Sequence, residues 1–249
     1  DGEAEGEISA FYILDGGTAL ELINKRSSMG NNPCYVSISN NGNFLLTANY
    51  NQGNIGSYSI ENEGFIGGNI SNIYHSGSSV NRERQERPHP HMILPAPEGN
   101  IVVVPDLGTD RIMIYEMSPA GKLKPASQPY ASVAKGAGPR HFAFHPSLQF
   151  GYVVNELNAT VTAFAFDKTN GYLDEINTVS ILPEDFAGEN KAADLHITPN
   201  GQFAYASNRG HNSLAVLKID EKTGEIEYLF NENCGGEWPR AFSIDPSGK

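Results

Sequence analysis

One pattern recurs along this chain and constrains its fold more than any other feature. A Pro, Arg or His opens an apolar stretch, a tight turn follows, and a second apolar stretch stops at Asn or Asp. The copies run from Pro33-Cys34-Tyr35-Val36 to Asn49, from Pro88-His89-Pro90-His91 to Asp106, from Pro139-Arg140-His141-Phe142 to Asn155, and from Ala193-Asp194-Leu195-His196 to Asn208. A fifth begins at Pro239-Arg240-Ala241-Phe242 and stops with the chain. The closing residues lie 57, 49 and 53 positions apart. A unit of this length cannot bury its apolar faces alone, so copies must stack on one another.

Turn markers keep step within each copy. First turns fall at Asn41-Gly42, Glu98-Gly99, Ser147-Leu148, Asn200-Gly201 and Ser247-Gly248. Second turns fall at Glu63-Gly64, Ala120-Gly121, Asn170-Gly171 and Thr223-Gly224. From Gly42, Gly99 and Gly201 to the next turn glycine is 22, 22 and 23 residues. Such pairs supply the positive φ of tight hairpins. Between them lie alternating, β-branched or aromatic runs such as Ile101-Val102-Val103-Val104 and Val161-Thr162-Ala163-Phe164-Ala165-Phe166, which read as strands.

Four strands per repeat predict an all-β fold, a β-propeller of four-stranded antiparallel blades. Complete blades are expected over residues 33–80, 88–132, 139–185 and 193–232. Residues 7–25 read as outer strands of a preceding blade and 239–249 as the start of a later one, so residues 1–249 read as one propeller domain truncated at both ends. The repeats are too long for a parallel β-helix, and Trp-Asp and kelch signatures are missing.

Composition narrows the function. A net charge of −12 argues against nucleic-acid partners. The chain has no apolar run of bilayer length, which predicts a soluble protein, expected in the cytoplasm. Two cysteines, Cys34 and Cys234, are too few for a disulfide framework and read as reduced. The first residue is Asp rather than Met, so the lack of an export signal is uninformative.

Antiparallel pairing places each opening beside its own closing residue, at one rim. His89 and His91 then lie near Asp106, Arg140 and His141 near Asn155 and Glu156, and Asp194 and His196 near Asn208 and Arg209. First strands line a propeller axis, so these groups converge on the channel mouth. Six of the eight arginines (Arg82, Arg84, Arg87, Arg140, Arg209 and Arg240) fall in openings, closings or the loops leading to them. That gathering predicts a site for phosphate or carboxylate, although each Arg also has the option of bridging to a neighbouring blade. His89 and His91, two apart, have the spacing of metal ligands, but no third ligand is evident and no metal is expected. The Asn and Asp closings serve equally well as turn caps. Glu156 is either the partner of Arg140 or a catalytic base.

The stretches Arg84-Gln85-Glu86-Arg87-Pro88-His89-Pro90-His91, Val104-Pro105-Asp106-Leu107-Gly108-Thr109-Asp110-Arg111, Gly136-Ala137-Gly138-Pro139-Arg140-His141, Val154-Asn155-Glu156-Leu157, Ser207-Asn208-Arg209-Gly210-His211 and Gly235-Gly236-Glu237-Trp238-Pro239-Arg240 resemble the lactonase family of seven-bladed propellers. The family also resembles fungal enzymes that make muconolactones, and the residues carried across by motif are His91, Arg140, Glu156 and Arg209 as the catalytic set. Arg84, Gln85, His89, Asp106, His141, Asn155, His196, Asn208 and Arg240 are the expected substrate-binding residues. Ala241 departs from the family, which often carries His there.

The resemblance implies hydrolysis of 6-phospho-D-glucono-1,5-lactone, a small anionic sugar lactone of the pentose phosphate pathway, without a cofactor. Two alternatives keep the same residues: cyclisation of a diene acid to a muconolactone, and a binding propeller with no catalysis. A wide mouth, with Glu156 fully tied into ion pairs and no cavity around His91, favours the last.

Overall fold

A computed structural model describes residues 5–245 and Ser247. Among these residues it is all-β, with single 3₁₀ turns at Asp15–Gly17 and Asn62–Gly64. Strands β1 (Glu7–Leu14) and β2 (Ala19–Ser27) form a two-stranded sheet. Four four-stranded antiparallel blades follow. Blade 1 is β3 (Pro33–Ile38), β4 (Phe44–Asn49), β5 (Asn54–Ile60) and β6 (Ile66–Tyr74). Blade 2 is β7 (Leu94–Pro95), β8 (Ile101–Asp106), β9 (Arg111–Met117) and β10 (Leu123–Ser132). Blade 3 is β11 (Pro139–Phe144), β12 (Phe150–Asn155), β13 (Thr160–Asp167) and β14 (Tyr172–Ser180). Blade 4 is β15 (Lys191–Ile197), β16 (Phe203–Arg209), β17 (Ser213–Ile219) and β18 (Ile226–Asn233).

Burial follows the layering. Every residue of β8 and β12 is buried, because the second strand of a blade is covered on both faces by its neighbours. The outer strands β10 and β18 keep exposed residues along their length. Between blades the second-turn glycines act as sockets. A Cβ on Gly121 would meet the Phe44 ring at 2.4 Å, and one on Gly224 would meet Phe150 at 2.3 Å. Both glycines also have positive φ, 77° and 74°, so the turn and the joint demand the same residue.

The pairing of openings with closings is seen as Pro33 with Asn49, Pro90 with Asp106 and Pro139 with Asn155, while in blade 4 Asn208 pairs with Ala192, one residue before the expected opening at Ala193. Just after that rung the register slips. In blades 1 and 3 the slip leaves Cys34 and Arg140 as unpaired bulge residues. A bulge of this kind re-aims a side chain out of the ladder. In blade 2 the slip lies between Pro90 and Leu94 and contains His91.

Two details differ from the sequence expectation. The inner strand of blade 2 is only Leu94–Pro95, because Pro88 and Pro90 carry no N–H for a ladder, and Pro90 rather than Pro88 matches Pro33 and Pro139. Residues 239–245 form no strand, although the sequence reads as the start of a later blade there. Of the last turn, Ser247-Gly248, Gly248 lies outside the described residues.

Candidate active site

The blade openings meet around a cavity of about 440 Å³. Its wall carries four cationic side chains, Arg84, Lys191, Arg209 and Arg240, against one carboxylate, Glu156, together with His91, Tyr50, Cys34, Asn32 and Trp238. In a protein of net charge −12 this is a local reversal of sign. Low-dielectric walls focus such a field and attract anions.

Glu156 is the hub. It follows the closing Asn155 of β12, and its backbone N–H donates to the Gly138 carbonyl at 2.7 Å. Its Oε1 accepts from Arg84 Nη2 at 2.6 Å. Its Oε2 lies 3.0 Å from Arg140 Nε and 2.9 Å from Arg209 Nη2. The side chain is 4% exposed, as against 2% for Arg140 and 5% for Arg209. Burial disfavours its charge, but Arg209, Arg84 and Arg140 together outweigh that and hold the carboxyl below its ordinary value. The guanidiniums are anchored from behind as well. Arg140 Nη1 donates to the Ala193 carbonyl at 2.6 Å, and Arg209 donates to the Lys191 and Ala192 carbonyls at 3.1 and 3.0 Å. Burial lowers Arg140 to about 10, still charged at neutral pH.

His91 stands beside this hub. It is buried, and burial, followed by the charge of Arg140 and then by His141, pushes its pKa well below the ordinary imidazole value. It is therefore a neutral imidazole at pH 7. Its Nδ1 is buried without a hydrogen-bond partner, which leaves Nε2 to serve a ligand. Tyr50 packs edge-on to its ring at 5.5 Å, and His141 at 5.3 Å.

A second cavity, about 620 Å³, adjoins the first through their shared residues Cys34, His91 and Arg240. Its wall includes Tyr35, Arg140, His141, Asp194, His196 and Phe242. Asp194 holds His141 Nδ1 at 2.8 Å and His196 Nε2 at 3.2 Å. Arg140 Nη1 lies 3.3 Å from His141 Nε2, so that nitrogen accepts and His141 is the Nδ1–H tautomer.

Other expected contacts fall elsewhere. His89 does not line either cavity; it stacks on Tyr50 with ring centres 4.4 Å apart, and its nitrogens engage the Tyr50 carbonyl and Glu86. Gln85 is buried behind the wall, donating to the Leu107 carbonyl and Asp110. Asp106 binds His75 Nδ1 at 2.6 Å and the N–H groups of His89 and Gly108. Asn155 donates to Thr160 and Thr162, and Asn208 to the Ile181 carbonyl. These polar groups are buried within the fold, and a buried polar side chain there is taken up by hydrogen bonds to neighbouring groups rather than to a ligand. Arg87 pairs with Glu86 and Arg82 is exposed; neither reaches the cavity wall, unlike Arg84, Arg140, Arg209 and Arg240.

Asp110 is a support the sequence reading passed over. Its carboxylate accepts from Gln85, Ser79, Gly136 N and Gly138 N at 2.7, 2.5, 2.6 and 2.8 Å. It thereby clamps the loop carrying Arg84 to the loop opening β11 and Arg140. Lys191, Tyr50 and Trp238 were also missed as wall residues; the only sequence signal was their adjacency to an opening or a closing.

Cys34 lies on the wall of both cavities but is chemically quiet. Its thiol faces the carbonyls of His91, Pro90 and Ala48 at 3.5, 3.6 and 3.7 Å. Burial pushes it to about 12, against the opposing charges of Arg140 and Arg240. At pH 8 only about one thiol in 10⁴ is thiolate, so alkylation is slow. Brief iodoacetamide treatment of the native protein is expected to add one label, at exposed Cys234, and a second only after unfolding, as read by intact mass. Rapid double labelling of the native protein is the contrary result.

With this geometry established, the family follows from comparison. The family described as Lactonase, 7-bladed beta-propeller matches residues 1–249. This chain belongs to that lactonase family. A 6-phosphogluconolactonase of Bacillus subtilis is 36% identical over 245 residues, covering 98% of this chain and 69% of the relative. Another, of Formosa agariphila, is 32% identical over 252 residues, covering 99% and 70%. The solved periplasmic gluconolactonase of Pseudomonas aeruginosa superposes with a TM-score of 0.89 at 27% identity, covering 100% of this chain and 70% of that one. A solved Lactobacillus plantarum protein gives 0.91 at 30% identity, with the same coverages. These matches cover nearly the whole of this chain, which in turn spans about 70% of the length of the relatives.

Proposed function

We propose that this chain hydrolyses a phosphorylated sugar lactone, 6-phospho-D-glucono-1,5-lactone, with His91 as the base. The observation that carries this is a buried, neutral imidazole on the wall of a cavity whose guanidiniums are already fixed by Glu156. Relatives named 6-phosphogluconolactonase and gluconolactonase support the reaction class.

The lactone carbonyl docks against Arg209 and Arg84, whose N–H groups donate to its oxygen. His91 Nε2 takes a proton from a water as that water attacks C1. The tetrahedral oxyanion is stabilised by guanidiniums that need no reorganisation, because Glu156 and the backbone carbonyls hold them. The C1–O5 bond then breaks, the His91 proton goes to O5, and the product leaves as the open-chain acid. Hydrolysis of the ester needs no redox step. A sugar phosphate is confined by charge to the compartment where it is made, which points to the cytoplasm.

In this role Glu156 positions the arginines rather than acting as the base. A carboxylate held low by three guanidiniums accepts a proton poorly.

The pH profile tests the assignment. His91 is active when neutral, and its pKa lies below the ordinary value of about 6.5. Hydrolysis followed in a pH-stat is expected to be flat through pH 7 and to fall on an acid limb below about 6.5. A limb centred above pH 7 would contradict the neutral base. Stability follows the same sign: the unfolded chain binds the His91 proton more readily, so folding weakens as pH drops below about 6.5.

A further inference from the structure

The cations of the two adjoining cavities divide into two groups. Arg84, Arg140 and Arg209 are committed to Glu156. Lys191 and Arg240 also line the cavity, yet neither charged group has a hydrogen-bond or ion-pair partner among the described residues. Both residues are exposed, and in each case it is the backbone that is fixed. Lys191 opens β15, directly opposite Arg209 in the ladder, and its carbonyl accepts from Arg209 Nε. Arg240 follows a strap fixed by Asn212, whose Oδ1 accepts from Trp238 N at 2.9 Å and whose carbonyl accepts from Cys234 N at 3.2 Å. Past Arg240, Phe242 N donates to Asp194 at 3.2 Å. The charge of Arg240 also works against protonation of both Arg140 and Arg209, so the cluster lacks negative charge even with Glu156 counted.

Two cations held on one wall without a counter-charge suit a dianion. A phosphomonoester carries about −1.5 to −2 at pH 7 and three acceptor oxygens. A lactone ring and its hydroxyls are neutral and leave both cations unanswered.

We propose that Lys191 and Arg240 form a phosphomonoester subsite that makes the cavity select phosphorylated over unphosphorylated aldonolactones. This rests on the lactonase function above and adds the group that sets its substrate class. The phosphate sits between the two free cations, with the lactone ring extending toward His91.

Initial rates on 6-phosphoglucono-1,5-lactone and glucono-1,5-lactone test this, each corrected for spontaneous opening, with inorganic phosphate as competitor. The wild type is expected to prefer the phosphorylated lactone and to be inhibited by phosphate. Lys191→Met should lower the ratio of kcat/KM between the two lactones about tenfold or more, chiefly through KM, the scale of one charge-assisted hydrogen bond. It should also weaken phosphate inhibition. Lys191→Arg should restore most of the ratio. Lys191 is exposed, so its replacement does not threaten folding. An unchanged ratio in Lys191→Met, or equal wild-type rates on both lactones, overturns the subsite and leaves the lactonase function standing. A wild type that opens neither lactone overturns both.

Discussion

His91→Gln is expected to lower kcat on 6-phosphoglucono-1,5-lactone by about 10²–10⁴-fold, the range of a lost general base. Glutamine fills a similar volume and hydrogen-bonds, but cannot take a proton at neutral pH. KM should move little, since the phosphate and carbonyl contacts are made by Lys191, Arg240, Arg209 and Arg84 rather than by His91. Stability should also move little. The Nδ1 of His91 is buried without a partner, so no internal hydrogen bond is lost. Steady-state kinetics with a thermal melt separates these effects. Retention of more than a third of the wild-type turnover would remove His91 from the chemistry.

Glu156→Gln is expected to act first on stability. One carboxylate with 4% exposure faces three guanidiniums, so removing its charge leaves like charges buried against one another. Breaking a buried pair from one side costs about 3–5 kcal/mol. For a chain of this size that lowers Tm on the order of 10 °C. Turnover should fall too, but through misplaced arginines. The variant should therefore keep the wild-type acid limb, which belongs to His91. Loss of turnover with an unchanged Tm would make the carboxylate the base after all. The double variant Glu156→Gln/Arg140→Met removes one of the stranded charges and should recover part of the lost Tm.

The architecture was legible because its signals are local. Turn glycines at 42, 99, 121, 171, 201 and 224 must have positive φ, and their spacing counts strands directly. Gly121 and Gly224 are doubly constrained, by their turns and by the aromatic rings they receive. The misalignment of blade 2 has an equally local cause. Pro88 and Pro90 both resemble an opening, and the choice between them depends on a pairing with Asp106 made 16 residues later.

The site was legible in part. Register alone brought Arg140, Glu156, His91 and Arg209 to one end of the blades, and all four do meet there. Register does not say which way a side chain turns. Asn155, Asn208 and Asp106 sit at the expected rungs but bond within the fold, to Thr160 and Thr162, to the Ile181 carbonyl, and to His75 with two backbone N–H groups, whereas the next residues Glu156 and Arg209 face the cavity. The bulges that release Arg140 and Cys34 are three-dimensional features without a sequence mark. The two readings of Glu156 parted on charge balance, visible only once three arginines lie around it. Among the conditions for a non-catalytic scaffold, full ion pairing of Glu156 is met, but the absence of a cavity at His91 is not.

The most direct test of the account is the rate at which freshly prepared 6-phosphoglucono-1,5-lactone opens to the acid at pH 7, followed by ³¹P NMR with wild type and His91→Gln. Opening above the spontaneous rate and proportional to wild-type protein is expected, with the His91→Gln rate close to that of buffer. Opening no faster than buffer with the wild type, or equally fast with both proteins, would contradict it.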